Sequence, residues 1–365
     1  MFLNNILLFQ FRNYESQNIS LEKEFVIVLG DNAQGKTSFL ESIFLLSTAK
    51  SPREKKIEYL IQFGKPQAKV SAKISNGQKP YNIDIDLQGN KKLITINKNK
   101  LSKATDLLGF FNVVYLSPAD IDLVKGEPYN RRRFLDLVNT QINKRYTQTL
   151  QDYKSYIKNR NSILRQENID QTYLDVLDKK LAELGVKLIS YRIDCINKVQ
   201  PCFQQKIKEI INGEVLIEYL PGAPGNVNDY LRRLKGQFIR DKINGATSIG
   251  PHRDDFVIKV NGKDARLFAS NGQQRALSIV LKLSEVDYLL SETGKKPVLL
   301  MDDVLLELDQ TNLKKILDNL YQLDQIIITT TSLERLPQEV LDKSEIIEVN
   351  NGKLKKTQGK LLCGN

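Results

Sequence analysis

Eight consecutive residues constrain this chain more than anything else in it: Gly30-Asp31-Asn32-Ala33-Gln34-Gly35-Lys36-Thr37 fits the phosphate-loop pattern G-x-x-x-x-G-K-[ST]. The pattern carries chemistry only between a strand and a helix, and both flanks qualify. Phe25 to Leu29 is an unbroken apolar run, as for a strand buried on both faces of a sheet. Thr37 to Thr48 then places Leu40, Ile43, Phe44 and Leu46 at helical spacings. The glycines let the backbone curl until amide groups and the helix N-terminus face a phosphate. Lys36 adds a point charge on the β and γ oxygens, and Thr37 offers its hydroxyl to Mg²⁺. Gly30, Asp31, Asn32, Ala33, Gln34, Gly35, Lys36, Thr37 and Ser38 are therefore the expected nucleotide-binding residues, with Lys36 also catalytic.

A phosphate loop that hydrolyses needs an acidic site opposite it. Val298-Leu299-Leu300-Met301 is a second buried-strand pattern, and it delivers Asp302 and Asp303 at its C-terminal end. In such a Walker B arrangement Asp302 holds Mg²⁺ through water, while Asp303 orients or deprotonates the attacking water. Between the two sites stands Ser270-Asn271-Gly272-Gln273-Gln274-Arg275, followed by Ala276, Leu277, Ile279, Val280, Leu281 and Leu283 at helical spacing. Ordinary helix capping accounts for these residues in isolation. Their order in the chain points further, to the signature motif of ATP-binding cassette proteins, with Ser270, Gly272 and Gln273 as nucleotide contacts. In that superfamily the signature of one copy closes over ATP held by another, so an ATP-dependent homodimer is expected. Glu307-Leu308-Asp309 looks like the D-loop, ahead of a helix bearing Leu313, Ile316, Leu317 and Leu320. Ile326-Ile327-Ile328 then runs into Thr329-Thr330-Thr331, where transporter ATPases carry a switch histidine; Thr330 takes that place, outside the expected site.

The rest of the chain fits around these motifs. Met1 to Phe11 reads as a strand; Val70 to Ile74, Tyr81 to Leu87 and Leu93 to Ile96 alternate as an antiparallel β subdomain, and Val113 to Leu116 is a further strand. From about Asn130 to Ile211 the pattern is helical, with helices of roughly 40 residues spanning about 60 Å, too short for long coiled-coil arms. Pro221 to Gly225 is a loop, and Phe256 to Val260 a strand. The expected fold is α/β: a P-loop ATP-binding cassette head whose lobe I, a mixed sheet with an antiparallel β subdomain, takes residues 1–120 and 245–365. A mainly helical lobe II takes 121–244, with the signature at 270–275 on the lobe junction.

Charge decides between partners. Lys and Arg number 54 against 43 Asp and Glu, a net +11, so the field favours polyanions. Residues 131–160 hold eight Lys or Arg against two Asp, and Arg131, Arg132, Arg133, Lys144 and Arg145 are the candidate contacts to double-stranded DNA; a solvated helix face is the alternative. Such contacts give affinity without sequence specificity. Cys195, Cys202 and Cys363 lack metal or redox spacing, and His252 is the sole histidine, so a histidine metal site or a Ser/His/Asp triad elsewhere has no material. With no apolar stretch long enough for a transmembrane helix, the expected compartment is the cytoplasm, without membrane contact.

Taken in order, Phe11-Arg12-Asn13-Tyr14, the phosphate loop, Ser117-Pro118-Ala119-Asp120, Leu123-Val124-Lys125-Gly126, Arg131 to Asp136, Gly250-Pro251-His252-Arg253-Asp254-Asp255, Gly272 to Arg275 and Asp302 to Leu305 resemble the bacterial RecF family over nearly the whole chain. The resemblance implies a nucleoid-associated ATPase similar to SMC heads, with ATP and Mg²⁺ as cofactors. It would bind duplex DNA and single/double-strand junctions when ATP-bound, and work with RecR and RecO to load RecA at gaps. Asp303 in place of a glutamate leaves a shorter reach to water and suggests slow hydrolysis, and the expected enzyme is a weak, DNA-stimulated ATPase. Two rivals remain: a transporter-type or SMC-like chromosome ATPase, and a nucleotide-gated binding module with negligible turnover.

Overall fold

The structure, a computed structural model, describes residues 1–77, 79–307, 315, 320 and 323–357. Contacts divide the chain into two compact units, Met1–Asp120 with Glu285–Asn365, and Ile121–Ser284.

In the first unit, β1 (Phe2–Phe11) and β2 (Tyr14–Ser20) form a hairpin, and β3 (Phe25–Leu29) leads through the glycine loop into α1 (Lys36–Thr48). Next come β4 (Gln67–Ser75), β5 (Tyr81–Gln88), β6 (Lys91–Ile96) and β7 (Asn99–Lys100), which join the hairpin in an antiparallel sheet of order β2-β1-β4-β5-β6-β7. Alternation made the β4 to β6 part legible, since Val70, Ala72, Ile83, Ile85 and Ile94 all point inward. The sheet also takes in β1, whose Leu3, Ile6 and Leu8 are fully buried.

The second sheet of this unit uses β8 (Val113–Leu116). In the other unit, α2 (Pro128–Ile142), α3 (Lys144–Leu164) and α4 (Gln171–Ile207) form the helical part. The longest, α4, spans about 55 Å at 1.5 Å per residue. Strand β9 (Val215–Leu220) pairs antiparallel with β10 (Asp255–Val260), and β10 with β11 (Lys263–Asp264). Helices α5 (Val227–Gly236), α6 (Phe238–Asn244) and α7 (Ala265–Phe268) follow, and α8 (Asn271–Thr293) begins here. The expected boundary at residue 245 thus falls instead at 285. The reason is pairing: β10 adds to β9 along its whole length, and Phe134 of α2 stacks edge-on against Phe256 of β10.

Strands β12 (Val298–Asp302), β13 (Ile326–Thr330), β14 (Ser344–Asn350) and β15 (Lys353–Thr357) complete the first unit's second sheet, ordered β15-β14-β3-β13-β12-β8. All of β8, β12 and β13 are buried, which is why they are apolar up to the polar C-terminal ends of β12 (Asp302) and β13 (Thr329, Thr330). β3, β8, β12, β13 and β14 run parallel, so their C-terminal ends share one edge, where open α/β sheets bind ligands.

Candidate nucleotide site

At that edge β13 lies between the glycine-loop strand and the acidic strand, with Thr329 registered against Val28 of β3 on one side and Asp302 of β12 on the other. The glycine loop leaves β3 and turns at Gly35, whose φ of +123° no L side chain adopts easily. A Cβ there would also sit 2.6 Å from the Asn13 amide nitrogen. Helix α1 starts directly after it, with no side-chain cap and no acidic residue in its first turn, so its N-terminal amides remain open to an anion.

Lys36 is only 4% exposed. Its ammonium donates to the Gly30 and Asp31 carbonyls at 2.8 and 3.1 Å and lies 3.8 Å from Asp303 Oδ2. Thr37 Oγ1 donates to Asp302 Oδ1 at 3.0 Å. Asp303 sits just past the strand at φ +52°, a left-handed conformation costing about 1–2 kcal/mol that aspartate tolerates better than most residues. Burial pushes its carboxyl above the usual carboxylate range; Lys36 pulls it down and Asp302 adds to the rise. Lys36, Thr37 and Asp303 border a cleft of about 980 Å³ that runs from Asn32, Ala33 and Ser38 past Arg12 and Arg53 to Tyr59 and Phe63.

The first-strand tetrad resembling the family has a local purpose at every residue. Phe11 is fully buried. Arg12 grips the buried Glu41 of α1 with two bonds of 2.8 Å and donates to the Tyr59 carbonyl. Asn13 donates to the Gln34 carbonyl at 2.8 Å and Tyr14 to that of Gly35 at 2.9 Å. The β14–β15 turn holds the same loop, Gly352 N donating to Gln34 O and Asn351 N to Gln34 Oε1. The glycine loop is therefore already shaped by its own chain.

Two contacts were not foreseen from the sequence. Tyr115 of β8 donates to Asp302 Oδ2 at 2.7 Å, and burial, with Asp302 beside it, keeps the phenol protonated. Thr329 donates to Asp302 Oδ1 at 2.9 Å, whereas Thr330, in the switch position, turns its hydroxyl to the Ser332 carbonyl. Register across the sheet, which sequence does not display, selects the first threonine over the second. Leu308 and Asp309 of the expected D-loop, with Leu313, Ile316 and Leu317 after it, lie outside the described residues, as does Cys363.

In the second unit Ser270 and Gln273 cap α8 reciprocally: Ser270 N donates to Gln273 Oε1 at 2.9 Å and Gln273 N to Ser270 Oγ at 3.3 Å. Gln274 donates to the Ala265, Arg266 and Ala269 carbonyls, fixing the turn before the helix. Ser270, Asn271, Gly272 and Gln273 stay exposed, and a Cβ on Gly272 would meet nothing within 4 Å.

The basic run separates into two populations. Arg131, expected on a phosphate-contacting surface, is instead 2% exposed and forks onto Asp255 at 2.6 and 3.0 Å. Arg160 is likewise buried, on Asp178 and Asp241. Arg132 is half-buried, donating to the Asp254 carbonyl, while Arg133, Lys144, Arg145, Lys154 and Lys158 are exposed. His252 is a packed loop residue. Its Nε2 donates to the Thr247 carbonyl and its Nδ1 shares a hydrogen bond with the Tyr153 hydroxyl, each at 2.8 Å, and burial lowers the ring's pKa to about 4.

A glycine loop wrapped on a buried lysine, beside two strand-end aspartates on a parallel sheet, defines a P-loop ATPase of the ATP-binding cassette class. A family model described as the RecF/RecN/SMC N terminal domain matches residues 2–355. The DNA replication and repair protein RecF of Clostridium perfringens is 36% identical over 360 residues, 97% of this chain and 99% of that one. The RecF of Streptococcus suis is 35% identical over 366 residues, covering 98% and 100%. A solved structure of the recombination mediator protein RecF with ATP, in the RecFOR pathway, is similar at a TM-score of 0.91 and 34% identity, over 98% of this chain and 97% of that one. An Smc head bound to the C-winged helix domain of ScpA, at a TM-score of 0.56 and 16% identity over 98% and 97%, shares the fold. The chain belongs to the RecF/RecN/SMC family and, within it, to the RecF proteins.

Proposed function

We propose that this protein binds ATP with Mg²⁺ on the Gly30–Ser38 loop, dimerises on duplex DNA in that state, and hydrolyses ATP slowly to let go, as a recombination mediator in cytoplasmic DNA repair and replication. The carrying observation is the convergence of Lys36, Thr37 and Asp303 on one cleft, with the buried Asp302 tied in behind them by the 3.0 Å bond from Thr37. The residues suit both groups. Open α1 amides and a buried ammonium match a polyphosphate, and a hydroxyl beside a carboxylate matches the donor set of a hard divalent cation.

Each side chain then has a role. Lys36 would exchange its bonds to loop carbonyls for bonds to phosphate oxygens, and Thr37 with Asp302 would hold the metal. Asp303, with its raised pKa, takes the proton of the attacking water. Bound Mg²⁺ would neutralise charge on the phosphates during cleavage. Ser270, Gly272 and Gln273, exposed at the head of α8, serve the nucleotide of a second copy, and the bare Gly272 permits close backbone approach. Arg133, Lys144 and Arg145, with Lys154 and Lys158, contact DNA phosphates. On the resemblance to the RecF family, RecR is the partner, with RecO and RecA in the pathway, and single/double-strand junctions join duplex DNA among the sites bound.

Phosphate release with and without duplex DNA tests this. Asp303→Asn should retain ATP binding and lose about 100-fold or more in turnover, while DNA raises the wild-type rate. Unchanged release by Asp303→Asn removes the catalytic assignment, and indifference to DNA removes the coupling.

A further inference from the structure

One hydroxyl touches both strand-end aspartates. Thr329 Oγ1 spends its single proton on Asp302 Oδ1 at 2.9 Å and accepts the Asp303 backbone N–H at 2.9 Å. The second bond matters because Asp303 occupies the left-handed region, at φ +52°, where the chain leaves the β12 ladder and its amide has lost a strand partner. An acceptor at that point fixes the direction in which the Asp303 side chain departs. Thr329 itself is 1% exposed on the central strand, so its own place is set by the sheet.

Asp302 is held from three sides: Thr37 and Thr329 donate to Oδ1 and Tyr115 to Oδ2. Thr37 is the donor that must turn toward a metal. The other two stay behind to keep the carboxylate oriented. Valine in place of Thr329 would fill the same volume and remove both bonds, leaving Asp302 Oδ1 with one donor fewer and the Asp303 amide without this acceptor.

We infer that Thr329 is a positioning residue for hydrolysis, setting the Asp302 carboxylate through its proton and the Asp303 backbone through its lone pair, and that Thr330 has no such part. This rests on the proposed roles of the two aspartates. It predicts a specific split in kinetics. An enzyme whose water-orienting carboxylate has drifted loses turnover while nucleotide binding, carried by the glycine loop, persists.

The test compares Thr329→Val, Thr329→Ser and Thr330→Val in ATP turnover and in hydrogen–deuterium exchange of a peptide spanning residues 301–305 without nucleotide. Thr329→Val should lower kcat about tenfold or more with the KM for ATP within about twofold. It should also speed exchange at Asp303. Thr329→Ser, which keeps the hydroxyl, should restore both, and Thr330→Val should alter neither. If valine leaves no folded protein, Thr329→Ala takes its place in the same comparison. Wild-type exchange in Thr329→Val, equal loss of turnover in the serine and valine variants, or an equal effect of Thr330→Val would overturn the inference. Faster exchange that serine reverses, with wild-type turnover throughout, would preserve the structural bond but overturn its role in hydrolysis. Because the exchange needs no nucleotide, it separates failure of the Thr329 contact from failure of the aspartate roles.

Discussion

Arg12 illustrates how single side chains build this site. Its partner Glu41 is a carboxylate with no exposure, in the second turn of the helix that starts at the phosphate loop. Removing Arg12 leaves that charge buried with the Ser51 hydroxyl still bonded to it, and Arg12→Ala should cost about 3–5 kcal/mol, read as a shifted urea midpoint. Glu41→Gln in the same background should recover part of the loss. His252 makes a pH-dependent prediction. Burial lowers its pKa from 6.5 to about 4, so above pH 6.5 it is neutral in both folded and unfolded chains. Below that the unfolded chain takes up the proton first, and stability should fall by about 2–3 kcal/mol between pH 6.5 and 4. His252→Gln should flatten that part of the stability profile; an unchanged slope would mean other groups set it. The sequence exposed Lys36, Thr37, Asp302 and Asp303, because each belongs to a spaced motif. It could not expose Tyr115 and Thr329, which reach Asp302 from neighbouring strands and carry no motif of their own. Nor could a run of arginines show that Arg131 and Arg160 turn inward to aspartates distant in the chain.

At the level of elements, legibility followed burial. Strands β3, β12 and β13 announce themselves because both faces are covered and each opens on an apolar run, at residues 25–29, 298–301 and 326–328. Strand β9 was not anticipated: only Val215 in it is buried, and Glu218 interrupts the apolar run. Strands β14 and β15 escaped for a similar reason, the first carrying Glu345 and Glu348, the second being an edge strand with three lysines. Within the helical unit, α4 packs against α5 at a glycine. A Cβ on Gly185 would fall 2.5 Å from Tyr230 Cε1 and 3.2 Å from Pro251 Cδ, both buried residues. Gly185→Ala should therefore destabilise by about 1–2 kcal/mol, overpacking outweighing the gain in helix propensity. A rise in Tm would show that Tyr230 moves aside freely.

For the whole molecule, one phosphate loop and one signature helix with an exposed head, in a chain that divides into two units, make sense if the site is completed by a second copy. Each chain would then donate Lys36 and Asp303 to one nucleotide and Ser270 and Gly272 to the other. Among the described residues no helix is long and apolar enough to cross a membrane, and the excess of cations favours a polyanionic partner. Mass measured in solution at low micromolar protein tests this most directly, for the wild type, Asp303→Asn and Lys36→Ala, each with and without ATP and Mg²⁺. Dimers should form only with ATP and Mg²⁺, persist longest in Asp303→Asn, and be absent from Lys36→Ala. A monomer under every condition, or a dimer indifferent to nucleotide and to Lys36, would contradict a site shared between two chains.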